Sequence, residues 1–125
     1  MNRKAFGKRG EEAAKKYLEA KGYTVLEMNY RTRLGEIDLI ARQDETIVFI
    51  EVKTRHSTRY GLPRESVTYS KQLTYGKLAL QYLQHKGWLN RPARFDVLDI
   101  LYCNQKPEFH HIINAFEFQN KRYFF

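Results

Sequence analysis

The sequence is poor in the features that mark secreted, zinc-binding and membrane-spanning proteins. Its one cysteine, Cys103, cannot form a disulfide within the chain, and we expect it to be buried in the apolar run 97–103. The four histidines show no zinc-binding spacing with cysteine or with one another. No stretch approaches the roughly 20 apolar residues of a membrane span, and the basic N-terminus lacks the apolar run of a signal peptide. We therefore expect a soluble, cytoplasmic protein.

Acidic residues are also under-represented. The chain has 14 Asp and Glu against 22 Lys and Arg, which gives a net charge of +8. A basic surface favours polyanions, and nucleic acid is the commonest polyanion inside cells. The 125 residues, with 42% hydrophobic and 29% charged, match one globular domain spanning 1–125. Composition thus indicates a class of partner but no reaction.

The hydrophobic pattern predicts two helices and five strands in the order α-β-β-β-α-β-β. A first helix over 10–21 should end at Gly22, and a second should run from Thr68 to about Lys86 and end at Gly87. Its apolar stripe is expected to comprise Leu73, Gly76, Leu80 and Leu83. The strands are expected at 23–30, 36–42, 46–53, 95–103 and 109–113. Segment 46–53 is apolar on both faces until Glu51, so it should be central in the sheet.

A hairpin between the second and third strands brings charged side chains together. If Asp44 and Glu45 form a two-residue turn, Asp38 faces Glu51 across the strands; a longer turn would shift this register. The side chains that then share one face are those of Glu36, Asp38, Glu51 and Lys53. Opposed carboxylates about 5 Å apart repel by about 3 kcal/mol at an effective dielectric near 20. A bound divalent cation such as Mg²⁺ would compensate this repulsion.

The first helix adds a third acid to this face of the sheet. Glu11 lies at the edge of the apolar stripe, whereas Glu12 points towards water; the alternative role for Glu11 is stabilisation of the first helical turn. The ammonium of Lys53 can hold a water or a phosphate and neutralise charge in the transition state. A lone Glu-x-Lys is usually a solvated ion pair, so only the conjunction of these residues in a basic chain favours a functional site.

These residues resemble the PD-(D/E)xK nuclease superfamily, which has the restriction-endonuclease-like fold. Asp38 corresponds to the first acid and Glu51-Val52-Lys53 to the ExK motif, although Ile37 stands where the superfamily has proline. The sequence is more closely similar to the YraN family of small bacterial proteins, itself similar to archaeal Holliday junction resolvases. The matching segments are GKRGE (7–11), NYR (29–31), GEIDLI (35–40), VFIEVKTR (48–55), YG (60–61), SVTYSK (66–71) and RFDV (94–97).

The resemblance implies a restriction-endonuclease-like α/β fold with a mixed central sheet flanked by helices. It further implies Mg²⁺ or Mn²⁺ bound by Asp38, Glu51 and the backbone carbonyl of Val52, with Lys53 positioning water and Glu11 as the acid of the first helix. The expected activity is metal-dependent hydrolysis of phosphodiester bonds in DNA, including branched DNA, by a protein that forms homodimers. The alternative is a nucleic-acid binding module of the same fold without turnover; charge also permits RNA or ribosome association.

Basic and aromatic residues flank the predicted site. Those expected to contact nucleic acid are Arg31, Arg33, Arg55, Arg59, Tyr60, Arg64 and Lys71. Tyr60 can stack on a base or sugar, and Lys71 is expected to face away from the apolar stripe of the second helix, towards phosphate. Ordinary solvation explains any single one of the arginines equally well. Arg94 and Asp96 match the family pattern, but a buried structural ion pair explains them equally well.

Overall fold

The computed structural model describes residues 3–56 and 67–118, which form two α-helices and five β-strands. The elements are α1 (Arg3–Ala20), β1 (Thr24–Thr32), β2 (Gly35–Gln43), β3 (Thr46–Arg55), α2 (Tyr69–Lys86), β4 (Ala93–Cys103) and β5 (Lys106–Phe116). The order α-β-β-β-α-β-β and the α/β class are therefore confirmed. The main difference in bounds is that α1 begins two turns earlier than we predicted. No helix in the described ranges is long and apolar enough to cross a membrane.

The five strands form one mixed sheet in the order β1-β2-β3-β4-β5. Neighbouring strands are antiparallel except β3 and β4, which run parallel because α2 lies in the connection between them. β3 is central in the sheet, as its apolar run predicted, and its residues 47–50 are fully buried.

Successive residues of β3 pack into two separate cores, one on each face of the sheet. Val48 and Ile50 face the core that includes Ala14 and Leu18 of α1. Ile47 and Phe49 face the core that α2 covers. The strand has a continuous apolar run because both of its faces are covered, one by α1 and the other by α2.

The buried face of α2 differs from the stripe that we predicted. The buried residues of this helix are Tyr75, Gly76, Leu78, Ala79, Tyr82 and Leu83, whereas Leu73 and Leu80 are only partly buried. The prediction was wrong because it left out two tyrosines whose large rings fill the core. Lys71 lies one turn before Tyr75 and is therefore on the inward side of α2, not facing away as expected.

Both ends of α2 follow the prediction. The hydroxyl of Thr68 accepts a hydrogen bond from the backbone N–H of Lys71, which caps the first turn. Gly87 ends the helix with a left-handed φ of 73°.

The prediction that Cys103 is buried was wrong. It is the last residue of β4, it is exposed, and its thiol lies 3.6 Å from the carboxylate of Glu108. Its neighbour Tyr102 is buried in the core that includes α1, so the apolar run did not indicate that burial ends before Cys103.

The hairpin between β2 and β3 has the turn that we predicted. Asp44 and Glu45 form the turn, with Asp44 at φ 53°, and Gln43 pairs with Thr46. The predicted pairing of Ile40 with Phe49 is confirmed. The ladder then ends at the pair Leu39 and Ile50.

α1 approaches β3 very closely at Gly10. A Cβ atom on this buried glycine would overlap Oγ1 of Thr54 and lie 3.0 Å from its Cβ and Cγ2 atoms. Only a residue without a side chain allows this approach, which carries Glu11 to the end of the sheet.

We expect Gly10→Ala to lower the free energy of unfolding by about 1–3 kcal/mol, because the added methyl group forces α1 away from β3. Gly7→Ala in the same helix is the matched control. A Cβ at Gly7 meets nothing within 4 Å, so this change should stabilise the helix by up to about 1 kcal/mol. Urea unfolding measures both, and equal stabilities of the two variants would contradict the close-approach argument.

Candidate metal centre

The site begins where the main-chain ladder between β2 and β3 stops. One residue beyond the last pair, Oδ2 of Asp38 accepts a hydrogen bond of 2.8 Å from the backbone N–H of Val52. A side chain thus replaces the main-chain acceptor that a continued ladder would have supplied. The strand pairs that we expected next, Asp38 with Glu51 and Glu36 with Lys53, are not part of the ladder.

Three carboxylates from two elements converge at this point. Oxygens of Glu11, Glu36 and Asp38 all lie within 4.8 Å of one another. Glu11 comes from α1, and the other two come from the start of β2. Carboxylate oxygens are the ligands that Mg²⁺, Mn²⁺ and Ca²⁺ prefer, so this donor set fits a hard divalent cation. The cluster can therefore hold a metal ion, whose identity the donor set leaves open among these three.

The predicted catalytic residues line one cavity, which we call the acid cavity. It has a volume of about 390 Å³, and the residues that line it include Glu11, Asp38, Glu51, Val52 and Lys53. Val52 supplies its N–H to Asp38; the predicted ligand role of its carbonyl remains a prediction.

Glu51 is buried, with an exposed fraction of 4%, and is held by three side chains. Its Oε1 lies 2.6 Å from Nζ of Lys71 and 3.2 Å from Nζ of Lys53. The hydroxyl of Tyr75 donates a hydrogen bond to its Oε2. Both carboxylate oxygens of Glu51 are therefore engaged by neighbouring side chains.

Burial and mutual repulsion raise the pKa values of Asp38 and Glu11. The pKa of Asp38 rises from 3.8 to about 7, chiefly because burial disfavours its charge and the carboxylate of Glu51 repels it. Burial also raises the pKa of Glu11, and a side-chain hydrogen bond with Asn29 opposes that shift. A cation in the cavity would stabilise the charged form of both carboxylates and so oppose both shifts.

The placement of Glu11 rules out the alternative role considered for it. Because α1 begins at Arg3, Glu11 lies in the third turn, too far from the helix N-terminus for the first-turn dipole effect. It is half-buried, and Glu12 is exposed, as predicted.

Sequence reasoning left out two residues that contact the acids, since Asn29 bonds to Glu11 and Tyr75 bonds to Glu51. It placed Glu36 on the face of Asp38 but did not name it as a metal ligand, whereas the structure brings it into the acid cluster. Asn29 has a φ of 55°, a conformation that asparagine tolerates better than most residues, so its presence inside a strand was the available signal.

The predicted nucleic-acid contacts fall into different environments. Arg31 is 75% exposed and forms an ion pair of 3.0 Å with Glu36, and Arg33 is exposed. Arg55 instead forms a largely buried ion pair of 2.9 Å with Asp99, which directs its guanidinium away from the surface. Lys71 contacts Glu51, as described above, whereas Arg59, Tyr60 and Arg64 lie outside the described residues.

A basic surface adjoins the acid cavity on the side of α1. A second cavity of about 580 Å³ is lined by Lys4, Lys8, Glu11, Asn29 and Arg31, together with Gly7. Gly7 and Glu11 line both cavities, so the cationic side chains and the acids border the same depression.

Arg94 and Asp96 form a buried ion pair, as one of the two interpretations held. Nε of Arg94 lies 3.1 Å from Oδ1 of Asp96, and Nε2 of His111 lies 2.7 Å from Oδ2. The backbone N–H of Asn114 also donates to Oδ1. These contacts join β4 to β5 and leave Asp96 fully enclosed.

Comparison with known proteins gives one consistent match. Residues 10–100 match the uncharacterised protein family UPF0102. The chain is 48% identical over 117 residues to a UPF0102 protein of Geobacter metallireducens, covering 94% of this chain and 96% of that protein. It is 46% identical over 113 residues to a UPF0102 protein of Alkaliphilus metalliredigens, covering 90% and 98%. A UPF0102 protein of Syntrophus aciditrophicus is 52% identical over 102 residues, covering 82% and 78%.

We expect the stability of the metal-free protein to fall as the pH rises from 4 to 7. The pKa of Asp38 is higher in the folded protein than in the unfolded chain, so the folded protein binds this proton more tightly. The stabilisation that the proton provides is lost as the pH rises through the folded pKa. The loss should approach about 4 kcal/mol at most, from about 1.4 kcal/mol per pKa unit. Urea unfolding in EDTA across this range measures it.

Asp38→Asn should flatten this pH dependence, because the amide carries no charge at any pH in the range. Asp44→Asn, an exposed change in the β2–β3 turn, is the control and should keep the wild-type profile. An unchanged slope in Asp38→Asn would show that other groups determine the pH dependence.

Proposed function

The chain belongs to the uncharacterised protein family UPF0102, and on that premise we propose that it is a divalent-metal-dependent endonuclease of the PD-(D/E)xK type that hydrolyses phosphodiester bonds in DNA. The observation that carries the proposal is the convergence of Glu11, Glu36 and Asp38 to within 4.8 Å of one another. Two of these acids, Glu11 and Asp38, line one cavity together with Glu51 and Lys53. The resemblance to the YraN family and to Holliday junction resolvases supports branched or structured DNA as the substrate.

The proposed site residues have distinct roles. When bound at the acid cluster, Mg²⁺ or Mn²⁺ would polarise a phosphate oxygen and lower the pKa of a water ligand. Asp38 is oriented for this by the N–H of Val52. Glu11 reaches the cluster from α1, and the ammonium of Lys53 neutralises charge that develops on the phosphate. Glu51 holds Lys53 in position through their contact of 3.2 Å.

The basic surface beside the cavity supports a polyanionic substrate. Lys4, Lys8 and Arg31 line the depression that continues from Glu11. Phosphates bound there would lead the backbone of a nucleic acid towards the acids, and the net charge of +8 favours the encounter. Arg33, which is exposed, is a further candidate contact, and Arg59, Tyr60 and Arg64 stay predicted contacts from the sequence. Pairing of two copies, as in resolvases, would allow symmetric cleavage of two strands.

A second candidate function, a nucleic-acid binding module without turnover, is favoured by the contacts of Glu51. Lys71, Lys53 and Tyr75 engage both of its oxygens, so the protein itself compensates this charge. In that case the acid cluster would be structural, and binding would depend on salt but not on metal.

We expect cleavage of branched or duplex DNA in Mn²⁺ or Mg²⁺ that EDTA abolishes. Asp38→Ala and Lys53→Ala should each lower the rate at least about a hundredfold, because one removes a metal ligand and the other a charge that stabilises the transition state. Glu19→Gln, an exposed change on the outer face of α1, is the control and should cleave at the wild-type rate. Intact substrates after incubation of a panel of branched, single-stranded and duplex DNA with the wild-type protein would contradict the nuclease proposal and favour the binding module.

Nucleic-acid affinity should fall steeply with salt, and Lys8→Ala should reduce the slope of log K against log salt by about 1, because one phosphate contact is lost. Fluorescence anisotropy in EDTA measures this without cleavage. Lys77→Ala, on the exposed side of α2, is the control. A slope unaltered by Lys8→Ala would exclude the α1 surface from the contact.

A further inference from the structure

Lys71 forms a shorter ion pair with Glu51 than Lys53 does. Its Nζ lies 2.6 Å from Oε1 of Glu51, against 3.2 Å for Nζ of Lys53 on the same oxygen. The side chain of Glu51 is only 5% exposed, so this carboxylate cannot rely on water for compensation. The ammonium of Lys71 thus compensates the negative charge of Glu51, as a bound cation would.

The contacts of Glu51 explain why it is absent from the acid cluster. Glu11, Glu36 and Asp38 converge within 4.8 Å of one another, whereas Glu51 borders the same cavity with its oxygens directed at the two lysines and at Tyr75. A divalent cation bound by Oε1 of Glu51 would be repelled by the two ammonium groups already on that oxygen, so Glu51 joins Asp38 as a ligand more easily when one of these partners leaves. The three partners are not equally able to do so.

Lys71 is the partner that can leave at the lowest cost. Tyr75 is 1% exposed and packs in the core on the α2 side, so its ring is fixed. The side chain of Lys53 is 31% exposed, but it lines the cavity together with Glu51, where its positive charge has a proposed role at the phosphate. The side chain of Lys71 is already 37% exposed, and its long stem starts in the first turn of α2, so its ammonium can swing into water without uncovering the core.

We propose that Lys71 is an internal counter-ion of Glu51, that it leaves this carboxylate when a divalent cation binds in the acid cavity, and that the released ammonium then contacts a phosphate of the nucleic acid. This inference rests on the proposed function, since it takes the cavity as a metal site. It adds that metal and nucleic acid bind cooperatively, because each favours the released position of the same lysine. By linkage, each ligand then raises the affinity for the other by one common factor.

Removing the charge of Lys71 tests the counter-ion role without any measurement of activity. Lys71→Met removes the charge and keeps most of the length of the side chain, and it leaves Lys53 and Tyr75 in place as partners of Glu51. We expect its Kd for Mn²⁺ alone, measured from the free-ion signal in electron paramagnetic resonance, to be about tenfold lower than in the wild type, because a competing positive charge is lost. Lys71→Arg, which keeps the charge, and Lys77→Met, on the exposed side of α2, should bind Mn²⁺ as the wild type does.

A Kd for Mn²⁺ that is unchanged or higher in Lys71→Met would overturn this inference while leaving the metal site of the wild type intact. If neither the wild type nor any variant binds Mn²⁺, the metal site itself fails, and the proposed function fails with it. These two results are therefore distinguishable.

The cooperativity has its own readout. The Kd for a fluorescently labelled DNA duplex is measured in EDTA and in Ca²⁺, which permits binding with little cleavage. Ca²⁺ should strengthen binding by the wild type severalfold and by Lys71→Met distinctly less. An equal effect of Ca²⁺ on both proteins would show that Lys71 does not couple the two ligands.

Discussion

Repulsion among four carboxylates at one end of the sheet is the constraint on which the other features of this region depend. Three of them, Glu11, Glu36 and Asp38, converge within 4.8 Å of one another. The fourth, Glu51, lines the acid cavity together with Glu11 and Asp38. Each has its own compensation: Arg31 for Glu36, Asn29 for Glu11, the N–H of Val52 for Asp38, and two lysines with Tyr75 for Glu51. A domain is stable by only about 5–15 kcal/mol, so repulsion among four acids lowers its stability appreciably unless a bound ligand offsets it.

The fold supplies these groups from elements that are distant in the chain. Gly10 lets α1 lie against Thr54, and that contact is what delivers Glu11 to β2. On the other face of the sheet, α2 places Lys71 and Tyr75 against Glu51. The cavity is thus formed by α1, β2 and β3, and α2 contributes through its contacts with Glu51.

Much of this arrangement could be predicted from the sequence, because it follows from local rules. Alternation and turn residues determined the hairpin register from Gln43 to Ile40, and helical spacing separated Glu11 from Glu12. The end of the ladder could not be predicted, because no pattern indicates that the carboxylate of Asp38 takes the N–H of Val52. The start of α1 was missed because residues 3–9 carry no apolar stripe of their own. The inward position of Lys71 was missed because it depends on tyrosines in the core.

The two-residue turn at Asp44 and Glu45 is far from the acids, yet its length determines the face on which Asp38 lies. Side chains alternate along β2, so every residue between the turn and Asp38 inherits its face from the number of residues in that turn. One inserted residue would move the apolar side chains of β2 towards the wrong core and rotate the acid out of the cavity. Selection for function at the acid end of the hairpin would therefore also constrain the number of residues in the turn at its other end.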